Sequence, residues 1–196
     1  MAVNYIYENM NPKNKDEDDC VLRAITRLEI ETMTYEDVLE NMKKLNVKEF
    51  EDQKNAYCNP FVFSKLLTNL GYVRFKTKPG YMKTRYSIST VNMASLMSKE
   101  IDLDIFALTN THAVAVLKDG SFSDTWNSGR RHTKEFYLKP NVELEELFKD
   151  HKIEPTIDLR GKTYETIWFE RMPNGTVNIY NEKQIIAKFK NGERIS

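Results

Sequence analysis

The apolar residues of this chain keep two different rhythms, and the change between them near residue 104 most constrains what it can fold into. Behind the acidic run Asp16-Glu17-Asp18-Asp19, residues Val21, Leu22, Ala24, Ile25 and Leu28 recur at helical spacing and give one buried face. Asp18 or Asp19 is placed to cap that helix, because acidic groups suit the positive end of its dipole. Thr34-Tyr-Glu-Asp37 opens a second helix in the manner of a capping box, followed by Val38, Leu39, Met42 and Leu45. Asn59-Pro60 opens a third, which runs through Val62, Leu66, Leu67 and Leu70 and stops at Gly71. A shorter fourth starts at Thr90 and carries Val91, Ala94, Leu96 and Met97.

Beyond residue 104 the pattern is that of strands. Asp104 to Thr109 and His112 to Leu117 are the first two, the second nearly continuous in apolar residues and hence buried. Lys118-Asp119-Gly120 is a turn signal, and Ser121 to Trp126 is the strand that returns from it. A helix over 141–149, with Val142, Leu144, Leu147 and Phe148, is followed by a β-meander of Thr163–Glu170, Thr176–Tyr180 and Gln184–Phe189. Asn174-Gly175 makes its first turn, and Asn191-Gly192 follows its last strand. No repeat or low-complexity linker interrupts the 196 residues. Helices first and strands afterwards imply an α+β fold, the helices gathered on one side of an antiparallel sheet. A first domain over 1–150 carries the chemistry, and the meander over 151–196 is an appendage or part of the same domain.

Charge narrows the partners. Lys and Arg number 29 and Asp and Glu 29, for a formal net charge of zero. A protein that coats nucleic acid relies on many uncompensated cations, which this balance does not provide. Apolar runs reach about half a dozen residues, against the roughly 20 that span a bilayer, so no membrane partner is expected. The opening MAVNYIYENM lacks the basic-then-apolar layout of a signal peptide. The expected setting is therefore the cytoplasm, where Cys20 and Cys58 stay free thiols. Metal binding is not expected either, since His112, His132 and His151 stand 20 and 19 residues apart (132 − 112 and 151 − 132). No cofactor is called for.

The candidate chemistry begins with Cys20. It stands at the start of an amphipathic helix, where free backbone N–H groups and the dipole favour a thiolate. The plainer reading is a small buried hydrophobe. Four carboxylates just before it would oppose ionisation, so a working nucleophile needs a cationic partner. His112 opens the buried strand His-Ala-Val-Ala-Val. Alone it would be an ordinary strand-edge histidine, but the hairpin that follows brings residue 126 opposite residue 112 by counting. Asp124 is then a diagonal neighbour within reach of the ring. A carboxylate there fixes the imidazole tautomer and stabilises the cation formed when His takes a thiol proton.

Asp19-Cys20-Val-Leu-Arg-Ala-Ile, Thr111-His112-Ala-Val-Ala-Val and Asp124-Thr-Trp126-Asn127-Ser together resemble the papain-like cysteine peptidases. They are most similar to small, mostly uncharacterised papain-like proteins of bacteria and their phages. The likeness covers roughly residues 14–130. It implies a papain-like fold, Cys20 as nucleophile, His112 as base, Asp124 as third member and Trp126 as a shielding aromatic. It also implies the Cys20 N–H as the first oxyanion donor. Two features depart from the larger papain-type pattern. The Cys-to-His gap is 92 residues (112 − 20), against roughly 130–150. The glutamine that papain places before its cysteine is replaced by nothing closer than Asn14. Asn127 competes with Asp124 as third member, although strand alternation favours Asp124.

The implied activity is cysteine-dependent cleavage of an amide or isopeptide bond in a protein or peptide, with acyl transfer by the same machinery. A phage-encoded chain would act in the host cytoplasm. The alternative is a non-enzymatic inhibitor or binding protein on the same scaffold. Its contact surface would be residues 72–86, where Arg74, Lys76, Lys78, Lys83 and Arg85 interleave with Tyr72, Phe75, Tyr81 and Tyr86. Such alternation suits a single-stranded nucleic-acid groove or an acidic partner, and its plainer reading is a hairpin with a solvated basic face. Cys58 precedes a helix but has no histidine partner by pattern and is read as structural. His132 and His151 are read as surface residues.

Overall fold

A computed structural model describes residues 4–14, 18–45, 58–76 and 90–196. Within them the chain is mixed α and β, with five helices and twelve strands in two sheets.

Three helices come early, and side-chain caps set the starts of the second and third. α1 spans Cys20–Leu28. α2 spans Tyr35–Leu45 and starts at a reciprocal box: Asp37 N–H donates to Thr34 Oγ1 at 3.2 Å while Thr34 N–H donates to Asp37 Oδ2 at 2.9 Å. α3, Pro60–Asn69, begins where Phe61 N–H donates to Asn59 Oδ1 at 2.8 Å and ends before Gly71 at φ 91°. α4, Val91–Ile101, is longer than its apolar stripe suggests. Its buried face includes Ser95 and Ser98, whose hydroxyls donate to the Gly120 and Leu103 carbonyls at 2.6 Å each, whereas Leu96 lies only half-buried. α5 spans Val142–Asp150, with Val142 left 70% exposed.

The larger sheet has eight strands: β1 (Asn4–Tyr7), β2 (Val73–Lys76), β3 (Ile105–Thr109), β4 (Ala113–Val116), β5 (Ser121–Asp124), β6 (Thr133–Leu138), β7 (Thr156–Asp158) and β8 (Gly161–Tyr164). Their order is β1-β5-β4-β3-β6-β2-β8-β7. The smaller sheet joins β9 (Ile167–Arg171), β10 (Val177–Asn181), β11 (Gln184–Lys190) and β12 (Glu193–Arg194) as a meander.

Three expectations change here. The large sheet is mixed, because β1 runs parallel to β5 and β2 parallel to β8. Parallel partners come from distant sequence and leave no local turn signal. The segment Thr163–Glu170 does not form one strand; Thr163 and Tyr164 end β8 in the large sheet, and Ile167 starts the small one. The helices also divide between the two faces. Phe106, Ala113, Ala115 and Tyr137 pack with α1, α2 and α3, whereas Val73, Phe75, Ile105, Ala107, Val114, Phe136 and Leu138 pack with α4, α5 and the small sheet. The central strands β3, β4 and β6 are thus apolar on both sides, at period two. Among the described residues, no helix is long and apolar enough to cross a membrane.

Candidate active site

The tight turn after β4 sets the geometry of the first pair. Gly120 at φ 87° closes it, and the antiparallel register sets Ala115 against Ser123 and Val116 against Phe122. Continuing that register places 112 opposite 126 and makes Asp124 the diagonal neighbour of His112. The side chains meet: His112 Nε2 lies 2.7 Å from Asp124 Oδ2. Both are nearly enclosed, with 11% and 4% of their side chains exposed. The other Asp124 oxygen accepts from Thr125 N–H at 2.7 Å, so the carboxylate cannot swing away freely. β1 supports it from behind, since Glu8 N–H donates to the Asp124 carbonyl at 3.0 Å. Glu8 in turn accepts from Arg27 Nε at 2.6 Å and from Ser123 Oγ at 2.5 Å, tying α1 to β5.

α1 lies across β4 and brings Cys20, its first residue, to the start of that strand. The Cys20 sulfur is half-buried, and Cys58, His112 and the Ala113 backbone are the neighbours that act on its charge. With Nε2 held by Asp124, Nδ1 is the ring nitrogen left for the sulfur. The Cys20 thiol is lowered to about 5, first by a hydrogen bond from Cys58 and then, against the opposing cost of burial, by His112 and Ala113. Burial disfavours a charged His112 ring, but Asp124 and Cys20 together outweigh it and raise the imidazole to about 9. At neutral pH the pair is therefore a thiolate facing an imidazolium.

Of the acidic run, Asp19 is engaged elsewhere, for a reason the sequence conceals. Asp19 occupies the N-cap position, yet its side chain caps no amide of α1. It is fully buried and turned instead to Arg23 Nη1 at 2.9 Å, Tyr35 Oη at 2.7 Å and Asn11 Nδ2 at 2.8 Å. Its charge is paired with Arg23, and its side chain leaves the first-turn N–H groups of α1 uncapped. Asp18 is exposed, and Asp16 and Glu17 lie outside the described residues.

Trp126, 40% exposed, sets its ring 5.0 Å from the His112 ring, and Arg131 stands over its other side at 5.1 Å. Asn127 is exposed and accepts from Gly129 N–H at 3.2 Å; the histidine's carboxamide or carboxylate partner is Asp124. Asn14 is exposed at φ 50°, its side chain accepting from Asn9 Nδ2 at 3.3 Å and its backbone bonded to Asn11. A small crevice beside Cys20 and Asp124, with room for about one water molecule, is lined also by Glu8, Met10, Arg23, Ala24, Ala113 and Ser123.

Cys58, expected from the sequence to be structural, stands close to the candidate nucleophile. Its thiol donates to the Asp18 carbonyl at 3.1 Å, two residues before Cys20, and acts on the Cys20 thiol as a near neighbour. No pattern could have announced this contact, which closes a gap of 38 residues (58 − 20). The Cys20 thiolate, burial and the Asp18 and Asp19 charges all push the Cys58 thiol up, so it stays protonated as a donor. The basic stretch 72–86 also differs from a solvated hairpin over its described part. Tyr72, Val73 and Phe75 are buried in the core, Arg74 is buried against Asp158 (2.7 Å) and Thr163 (2.8 Å), and Lys76 faces Glu165 at 3.4 Å. Lys78, Tyr81, Lys83, Arg85 and Tyr86 lie outside the described residues. His132 and His151 are exposed, the first bridging to Thr90 through its backbone and the second ending α5. Among the described residues no group of three His, Cys, Asp or Glu side chains is disposed to hold a metal ion. Compared with known proteins, the chain is matched by no family model, no curated protein and no solved structure.

Proposed function

We propose that this chain is a cysteine-dependent hydrolase of the papain-like type, which cleaves an amide or isopeptide bond in a protein or peptide through a thioester. The observation that carries the reading is the convergence of Cys20 at the start of α1, His112 just ahead of β4 and Asp124 at the end of β5, with His112 hydrogen-bonded to Asp124 at 2.7 Å and acting on Cys20. A structural thiol has no need of a buried imidazole that is itself held by a buried carboxylate.

The Cys20 thiolate attacks the carbonyl carbon, and the developing oxyanion is met by the backbone N–H of Cys20 at the uncapped start of α1. The His112 imidazolium gives its proton to the departing amine, leaving a thioester and a neutral ring. That ring then takes a proton from water, whose oxygen attacks the thioester carbon; the acid leaves and the thiolate–imidazolium pair is restored. Asp124 orients the ring throughout and stabilises its cationic form. An amine in place of water gives acyl transfer with the same residues. Trp126, beside the imidazole, narrows access of bulk water to it.

The test is alkylation of the full chain with iodoacetamide near neutral pH, read by mass at each cysteine. Cys20 should label more than about tenfold faster than Cys58, because only its thiolate is populated. Hydrolysis of a peptide-amide library should be abolished by Cys20→Ala and retained by the wild type. Labelling of Cys20 no faster than Cys58 would sink the reading.

A further inference from the structure

The second thiol near the nucleophile helps keep it ionised but makes and breaks no bond in amide hydrolysis. Cys58 is half-buried, stands just ahead of the Asn59 cap of α3, and neighbours Cys20 closely enough that each thiol shifts the other. Its own sulfur also reaches the Asp18 carbonyl at 3.1 Å, so it is held against the turn that delivers Cys20. Two neighbouring thiols, one held at the turn that leads into the other and the other beside a histidine, are the parts of a dithiol–disulfide couple. Because Cys58 precedes its helix, it can close on Cys20 without unwinding α3.

We propose that Cys20 and Cys58 form a peroxide-modification site: hydrogen peroxide oxidises Cys20, and Cys58 resolves the product as a reversible disulfide that withholds the nucleophile. The proposal rests on the reading of Cys20 as a reactive thiolate. In the first step the Cys20 sulfur attacks one peroxide oxygen and the O–O bond breaks. Cys20 becomes a sulfenic acid, and the departing hydroxide takes the His112 proton and leaves as water. With the neighbouring negative charge gone, the main influence holding the Cys58 proton is gone too. The neutral His112 accepts that proton, the Cys58 sulfur attacks the Cys20 sulfur, and the S–O bond breaks. The leaving hydroxide recovers the proton as water. Overall two thiols lose two electrons and two protons to one peroxide, which yields two waters. A dithiol reductant reverses the bond by exchange.

Without the second sulfur, the sulfenic acid has no resolving partner and peroxide carries it on to sulfinic acid, which dithiols do not reduce. The full chain, reduced and freed of reductant, is treated with graded hydrogen peroxide at neutral pH and read by intact mass and non-reducing peptide mapping. The expected product is a monomer lighter by two hydrogens with Cys20 joined to Cys58. Its iodoacetamide labelling at Cys20 falls more than about tenfold and returns with dithiothreitol. Cys58→Ser should instead gain two or more oxygens on Cys20, and its labelling should not return. Wild-type protein that accumulates oxygenated Cys20 with no cross-link overturns the proposal, whether or not the Cys58→Ser variant folds. Fast alkylation of Cys20 in untreated protein together with that result would leave the hydrolase reading standing, whereas alkylation no faster than at Cys58 overturns both.

Discussion

At the scale of residues, the pair of shifted groups makes a directional prediction. A Cys20 thiol lowered to about 5 is ionised above that pH, and a His112 imidazole raised to about 9 stays charged below that pH. The thiolate–imidazolium state therefore fills the interval between them. Alkylation of Cys20 should rise through the lower limit and be nearly level at neutrality, whereas an ordinary thiol is still climbing toward about 8.5. A rate that keeps climbing steeply from neutral to alkaline pH contradicts the ion pair. The third member can be decided by the same assay. Asp124→Asn removes the charge that raises His112, so the imidazolium is lost at lower pH and the Cys20 thiol rises in response. The alkylation rate at about pH 6 should drop around tenfold. Asn127→Ala should leave that rate unchanged, since its side chain serves Gly129 N–H. Equal effects of the two substitutions would remove Asp124 from its place. The sequence makes the His112–Asp124 contact legible because one short hairpin fixes both its register and its spacing. It conceals the destination of the Asp19 carboxylate, which turns on Tyr35 and Asn11 from other segments. It conceals the Cys58 contact for the same reason.

At the scale of elements, the legible parts are those whose signals are local. Caps at Thr34, Asn59, Thr90 and Asn141, and the turn at Gly120, all lie within a few residues of what they satisfy. The parts concealed are set by distant partners. β1 is only four residues long and half-exposed, and becomes a strand because β5 offers it a parallel edge. β6 escapes the pattern of the preceding hairpin, although Phe136-Tyr137-Leu138 ahead of Pro140 was a usable sign. Its place between β3 and β2 makes it a central strand. β1 is also where the scaffold bears on the chemistry. Glu8 follows it and joins Arg27 of α1 to Ser123 of β5, one residue from Asp124. Glu8→Ala leaves a partly buried guanidinium and a buried hydroxyl without that acceptor, at a cost of about 1–3 kcal/mol. Thermal unfolding should begin several degrees lower, at roughly 2–4 °C per kcal/mol. The Cys20 alkylation rate should fall with it only if α1 and β5 also drift apart. An unchanged melting temperature would show that the Glu8 bridge contributes nothing measurable.

At the scale of the whole molecule, the question is whether residues 151–196 are an appendage. The period change near residue 104 gives the fold class, but it cannot say whether the meander packs on the earlier strands, since that depends on which faces meet. The rings supply the answer. Phe169 of β9 stands edge-on to Phe75 of β2 at 5.2 Å and to Phe136 of β6 at 5.5 Å, and all three are nearly inaccessible to solvent. Glu100 of α4 accepts from Asn191 N–H at 2.9 Å beyond β11, adding a polar tie between the small sheet and the central layer. One core thus runs from β2 and α4 into β9, β10 and β11. Cutting the chain at 150 would expose that shared surface and not release a separate unit. Phe169→Ala removes a ring from the middle of it, with an expected cost of about 3–5 kcal/mol from lost burial and an unfilled cavity. Because the strands that hold His112 and Asp124 are continuous with β3 and β6, the loss should not stay in the small sheet. Calorimetry and Cys20 alkylation should report a single shared transition, displaced to lower temperature. Two separated transitions, with Cys20 protected through the first, would make the meander an independent unit and restrict the candidate site's support to the first 150 residues.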